Sequence, residues 1–261
     1  MHKSTQFQPT PYPEINLTLS RLISDVRAVL GEAFYGMYLY GSLASGDFKS
    51  HSSDIDFLVV TTNRLTDPQV SALESLHQNL AGSPSKWAKK LEGSYLPLQM
   101  LPRYQPDAPP VPQINEGRFF VAQQGIDWVL QRHTLRNQER IVAGPTISDL
   151  IDPLTPAQIR QVVRELLRTW WSDNLRDKER LEDSAYQAYA VLSMCRAIYT
   201  LQHGKLCSKP VAARWALAAL DPQWTSLITA ATVWRTGLTM HRLEDTSSFI
   251  RYALEQSRFL E

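Results

Sequence analysis

The sequence predicts an α/β domain over residues 1–150, a small mixed sheet with helices, followed by an all-α helical-bundle domain over residues 151–261. Three observations carry this reading. In the first half, short runs of β-formers alternate with stretches of helical periodicity. From Thr155 onward every apolar pattern has helical spacing instead. Between the two, Gly144-Pro145 and Asp152-Pro153 punctuate the chain where one grammar gives way to the other.

Taken in order, the polar, proline-bearing stretch Gln6 to Pro13 reads as a loose leader after His2 and Lys3. From Asn16, the residues Leu17, Leu19, Leu22, Ile23, Val26, Val29 and Leu30 recur at helical spacing, and Gly31 closes the run. Met37 to Tyr40 is a short strand that stops at Gly41-Ser42. The strand Asp54 to Thr62 is the strongest, because Phe57-Leu58-Val59-Val60 is a run of β-formers. Asp67-Pro68 supplies an N-cap and a first-turn proline for a helix carrying Val70, Leu73, Leu76 and Leu80. Ser94 to Leu101 forms a third strand. The passage holding Pro102, Pro106, Pro109, Pro110 and Pro112 can be neither a regular helix nor a central strand, so it reads as a loop or an edge crossing. Asp127 to Leu135 fits helix and strand equally.

In the second half Thr155-Pro156 opens a helix that buries Ile159, Val162, Val163, Leu166, Leu167 and Trp170 on one face. A longer helix covers Leu181 to Gln202 with Gly204 as its stop. Three more begin near Lys209, Pro222 and Thr246. Cys195 lies within an apolar helical pattern and reads as a buried thiol.

Bulk properties narrow the function classes. With 27 basic and 26 acidic residues, the net charge of +1 gives no global field for nucleic acid. No apolar run is long enough to span a membrane, and no leader resembles a secretory signal. Two cysteines are too few for a disulfide framework or a cysteine zinc site. The absence of a signal segment, more than the cysteines, predicts a cytoplasmic protein, and a monomer is the expectation for it.

The stretch Gly41-Ser42-Leu43-Ala44-Ser45-Gly46-Asp47, continuing to Ser53-Asp54-Ile55-Asp56, carries the chemistry. On a strand, Asp54 and Asp56 at i and i+2 project from one face. Two carboxylates that close repel one another, and a cation is the natural way to hold them together. Hard oxygen ligands with open positions for phosphate oxygens suit Mg²⁺, which can polarise a phosphoryl group and help activate an attacking oxygen. Gly41-Ser42 follows another strand, where glycine lets the backbone approach a ligand and the serine hydroxyl can hold phosphate oxygens. Glu92 adds a third carboxylate if the strand after it lies beside that of Asp54. His51 lies in a polar loop among serines and reads as a solvent residue.

Gly-Ser followed by Ser-Asp-Ile-Asp and an apolar strand resembles the signature of the polymerase-β-type nucleotidyltransferases. Within that superfamily the sequence is most similar to the streptomycin/spectinomycin adenylyltransferases, which join such a domain to a C-terminal helical one. Leu91-Glu92, Val142-Ala143-Gly144-Pro145, Arg196 in Leu192 to Tyr199, and Gly204-Lys205 through Lys209 to Trp215-Ala216 extend the likeness. The resemblance implies transfer of AMP from ATP to a hydroxyl of an aminoglycoside-type acceptor. It implies Mg²⁺ on Asp54 and Asp56, with Glu92 as general base and a ligand for a second ion. It implies nucleotide phosphates along Gly41, Ser42 and Ser53, the triphosphate reached by Arg196 and Lys209, and Asp127 near the nucleotide. Substrates would then lie in a cleft between the domains.

The sequence departs from that family in the acceptor region. The segment from Ser42 to Asp54 is one residue longer, and Tyr186 stands where the family uses an acidic residue to recognise streptomycin. Asp183, one turn back, can substitute for it. Other readings keep the fold and change the outcome. One is adenylylation of a protein, as in toxin–antitoxin nucleotidyltransferases, whose partners carry an RNase motif with the spacing of Arg196 and His203. Another is a non-enzymatic nucleotide-binding relative, although all three acidic positions are present.

Overall fold

The computed structural model describes residues 8–50 and 53–259, and the start of the leader and His51 lie outside the described residues. Two compact units divide between Pro153 and Leu154. Among the described residues no helix is long and apolar enough to cross a membrane.

The first unit holds helices α1 (Pro13–Leu30), α2 (Gly41–Ser45), α3 (Asp67–Ala81) and α4 (Asp127–Gln138). Its strands are β1 (Phe34–Leu39), β2 (Ile55–Thr61), β3 (Leu91–Pro97), β4 (Val111–Asn115), β5 (Arg118–Ala122) and β6 (Arg140–Ala143). They form one mixed sheet in the order β5-β4-β3-β2-β1-β6, in which only β2 and β3 run parallel. Strand alternation divides the core between the two faces. Met37, Leu39, Phe57, Val59 and Tyr95 pack with Leu19, Leu22 and Val26 of α1 and Leu73 and Leu76 of α3. Tyr38, Tyr40, Leu58, Val60 and Leu96 pack on the opposite side with Trp128 and Leu135 of α4.

Several expectations are corrected here. The leader is not loose where it meets α1: Thr10 is buried and exchanges three hydrogen bonds with Asn16, while Tyr12 rests on Phe48 with ring centroids 4.9 Å apart. The N-cap of α3 is Thr66 rather than Asp67, because Gln69 closes a capping box on it. The third strand begins at Leu91 rather than Ser94, since the parallel ladder with β2 continues down to Ile55 and Leu91. Glu92 is therefore on the strand. The proline-rich passage ends in a hairpin whose first strand, β4, is interior despite Pro112. The ladder of β4 with β3 is short and involves Gln113 and Ile114 alone, so the missing N–H of Pro112 falls outside it. Asp127–Gln138 resolves as helix.

The second unit is helical: α5 (Pro156–Leu166), α6 (Ser172–Arg176), α7 (Ser184–His203), α8 (Lys209–Ala219), α9 (Thr225–Val233) and α10 (Leu243–Phe259). Helix α7 is its axis, packing against α5, α8, α9 and α10. Val191, Met194, Cys195 and Ile198 are buried along it, which makes the thiol of Cys195 a core group. A π-helical turn, Leu167–Trp171, continues α5. The extra residue rotates the apolar face by one position, so Trp171 is buried while Trp170 is exposed, the reverse of the expected face. The segment Glu179–Glu182 is a 3₁₀ turn, and α7 begins at Ser184 rather than Leu181. Pro222 opens a 3₁₀ turn before α9.

Candidate active site

The candidate residues of the first unit gather at one end of three adjacent strands. Strand β1 brings its C-terminal end there, and the parallel pair β2 and β3 bring their N-terminal ends. Leu39 pairs with Phe57, and the Tyr40 N–H donates to the Asp56 carbonyl at 3.2 Å, carrying the contact one residue past β1. Asp56 in turn pairs with Glu92. Opposed residues share a face, so Tyr40, Asp56 and Glu92 form a row across the sheet on the side of Leu58 and Val60. Asp54, two residues before Asp56, precedes the same strand. The neighbours Ile55, Phe57 and Leu91 are fully buried, whereas Asp54, Asp56 and Glu92 are half-buried. This alternation pins the register and leaves the carboxylates at the mouth of the sheet.

Gly41 makes the row possible. Its φ is +64°, and a Cβ at that position would stand 2.0 Å from Asp56 Oδ2, so no other residue lets the chain turn against that carboxylate. Ser42 follows in α2, and its carbonyl accepts from the Asp47 N–H at 3.1 Å. Ser53 closes the intervening loop: its N–H donates to the Lys49 carbonyl at 2.8 Å, and its Oγ accepts from the Lys49 N–H at 3.0 Å. Lys90 places Nζ 3.4 Å from Asp54 Oδ1, a cation at the edge of the acidic row.

The fourth acid comes from α4. Burial holds the Tyr40 phenol well above its ordinary value, and the negative charges of Asp56, Glu92 and Asp127 add to the effect. Four groups from four elements thus share one electrostatic neighbourhood. Burial also raises the Asp127 carboxyl, opposed by the N–H groups of Asp127 and Trp128 and by the Arg132 guanidinium. Arg132 is only 3% exposed, and four donations hold it: to the carbonyls of Leu101, Trp128 and Met100, and to Gln124 Oε1. Its position is not legible from sequence, because nothing local distinguishes it from the other arginine of α4, Arg136. Tyr40 is likewise not singled out by the sequence reading, although a tyrosine directly before Gly41-Ser42 at a strand end carries the signal.

Whether this site suits a metal turns on its donors. Among the described residues no three His, Cys, Asp or Glu side chains converge tightly enough to hold an ion alone. Mg²⁺ commonly takes only one or two carboxylates and completes its shell with water and phosphate. Asp54 and Asp56, hard oxygen donors at a strand mouth where like charges accumulate, fit that mode.

In the second unit, Arg196 is exposed on α7, two turns along from Tyr189, which puts the two on one side of the helix. Lys209, the first residue of α8, rests its Nζ 4.1 Å from the centre of the Tyr189 ring. The candidate cations Arg196 and Lys209 therefore flank a common surface. Asp183 is committed elsewhere: its Oδ1 caps α7 by accepting from the Tyr186 N–H at 2.8 Å. Tyr186 packs with Tyr189 and Trp171, and its hydroxyl donates to Asn174 Oδ1 at 3.0 Å. His203, two turns beyond Arg196, packs against Tyr199 at 4.4 Å and Trp215 at 5.5 Å.

Comparison with known proteins agrees with both units. Residues 21–92, which end on Glu92, match the nucleotidyltransferase domain, and the chain is a nucleotidyltransferase. Residues 149–257 match the aminoglycoside adenylyltransferase C-terminal domain. The chain is accordingly an aminoglycoside adenylyltransferase-like enzyme. It is 26% identical over 233 residues to an aminoglycoside (3'') (9) adenylyltransferase of Shigella flexneri, covering 84% of each chain. It is 22% identical over 222 residues to a spectinomycin 9-adenylyltransferase of Campylobacter jejuni, covering 82% of each. The fold matches the crystal structure of an enterococcal spectinomycin adenyltransferase, AAD(9), with ATP and spectinomycin. The TM-score is 0.75 at 18% identity, over 93% of this chain and 98% of that one.

Proposed function

We propose that this protein transfers AMP from ATP to a hydroxyl of an aminoglycoside antibiotic of the streptomycin or spectinomycin type. The observation that carries the proposal is the row Tyr40–Asp56–Glu92, with Asp54 beside it and Gly41 pressed against the Asp56 carboxylate. The names of relatives covering most of the chain support the acceptor class.

In this reading Asp54 and Asp56 hold Mg²⁺, which when bound would polarise the α-phosphoryl group and offset the charge of the triphosphate. Gly41, Ser42 and Ser53 line the phosphates, with Asp127 near the nucleotide, and Arg196 and Lys209 bind the triphosphate. Glu92 takes the proton of the acceptor hydroxyl as its oxygen bonds to the α-phosphorus. The bond from that phosphorus to the β-phosphate oxygen breaks, and pyrophosphate leaves. The carboxylates are half-buried rather than sealed, which leaves the row open to a ligand. Tyr186 in place of an acid makes spectinomycin and streptomycin separate questions.

The test is incubation of the purified protein with Mg-ATP and a panel of streptomycin, spectinomycin, kanamycin and tobramycin, followed by mass spectrometry. A single AMP added to streptomycin or spectinomycin is the expected result. Bound ATP with no adduct on any of the four would rule out this acceptor class and favour a protein or another hydroxylated acceptor.

A further inference from the structure

We infer that Tyr189 is a positioning residue of the nucleotide site: the face of its ring holds the Lys209 ammonium in place for the triphosphate. This rests on the reading of Lys209 as a triphosphate ligand. Lys209 opens α8, whose first turn contains no acidic residue. The N-terminal end of a helix is positive, so it favours an anionic ligand but repels an ammonium on its own first residue. A lysine also has a long flexible stem that must be ordered before its charge can be aimed. The Tyr189 ring meets both needs. Lys209 Nζ stands over it, 4.1 Å from its centre, where the negative face of an aromatic ring attracts a cation. A carboxylate in the same place would cancel the charge that a triphosphate needs, whereas a ring leaves it intact.

The ring is itself held. Tyr189 stacks on the buried Trp171 with centroids 5.9 Å apart and planes 28° from parallel, and it packs on Tyr186 at 5.5 Å. The Tyr186 hydroxyl is tied in turn to Asn174 Oδ1. The π-helical turn sets up this shelf, because it is what turns Trp171 inward. Tyr189 is nonetheless 41% exposed, so the shelf reaches the surface and the ammonium above it stays open to a ligand. Arg196 is exposed about 10.5 Å further along the same side of α7. The shelf therefore holds the cation of α8 on the side of α7 that carries Arg196.

Calorimetric titration with the Mg²⁺ complex of α,β-methylene-ATP tests this on wild type, Tyr189→Leu, Tyr189→Phe, Lys209→Met and the Tyr189→Leu/Lys209→Met double variant. Tyr189→Leu should bind about three- to five-fold more weakly, and Tyr189→Phe, which keeps the ring, as wild type does. In the Lys209→Met background Tyr189→Leu should cause no further loss. Undiminished affinity in Tyr189→Leu, an equal loss in Tyr189→Phe, or additive losses in the double variant overturns the inference. Wild-type affinity in Lys209→Met overturns the reading of Lys209 as a phosphate ligand and the inference with it, and a wild type that binds no Mg-nucleotide overturns the transfer reading itself. If Tyr189→Leu does not fold, proton NMR of the wild-type protein decides. Lys209 ε-methylene protons shifted upfield by the ring support the inference, and unshifted ones overturn it.

Discussion

Replacing Gly41 by alanine should disable the enzyme while barely denting its stability. An L-residue in the left-handed region costs about 1–2 kcal/mol, and Gly41 has φ +64°. For a domain pair of this size that corresponds to a fall in melting temperature of about 2–8 °C. The new methyl would also stand 2.0 Å from Asp56 Oδ2, so the carboxylate must retreat. Ordinary van der Waals contact needs a displacement of about 1 Å or more, and misplacement on that scale typically costs about 100-fold in rate. Gly46 supplies the control, with φ +80° and nothing within 4 Å of where a Cβ would stand. Gly46→Ala should lose similar stability and keep its activity. Thermal melts and initial rates of AMP transfer on both variants make the comparison. Equal rates for Gly41→Ala and Gly46→Ala would refute the argument that the Gly41 turn positions Asp56.

Two further outcomes follow from buried groups. Arg132→Met should destabilise the first unit by about 3 kcal/mol in a denaturant titration, because it strips partners from three carbonyls and Gln124 and leaves Asp127 without its cation. His77 is buried against Tyr95 Oη at 2.7 Å, and burial lowers its pKa to about 4 from 6.5. The unfolded chain therefore binds the extra proton first. Its contribution is complete above pH 6.5 and is lost as pH falls toward 4, about 3 kcal/mol in all. His77→Gln should flatten stability against pH across that window, as read by urea melts at several pH values.

The architecture was legible where one periodicity dominated. The β1 and β2 runs, α1, α5 and α7 follow from apolar spacing and from the stops at Gly31 and Gly204. The failures have local causes. Pro112 reads as a strand breaker, yet the ladder to β3 is short enough to spare its missing N–H. The π-helical turn shifts the buried face from Trp170 to Trp171, which a fixed helical period cannot anticipate. The acids of the candidate site announced themselves by spacing, because Asp54 and Asp56 stand two residues apart where one strand begins. Pairing decided the rest: only the parallel register puts Glu92 opposite Asp56, and only packing of α4 on the sheet brings Asp127 toward Tyr40. Arg132 depends on carbonyls some thirty residues away, at Met100 and Leu101, and no local pattern encodes that.

The central claim is that the carboxylate row performs the transfer. Its most direct test is single-turnover AMP transfer from α-labelled ATP to spectinomycin or streptomycin by wild type, Asp56→Asn and Glu92→Gln, with melting temperatures measured alongside. Asp56→Asn removes a charge at nearly constant volume, so a folded protein without detectable transfer is expected, and Glu92→Gln should slow transfer by about 100-fold or more while still binding ATP. A folded Asp56→Asn variant that adenylylates the acceptor at the wild-type rate would contradict the account.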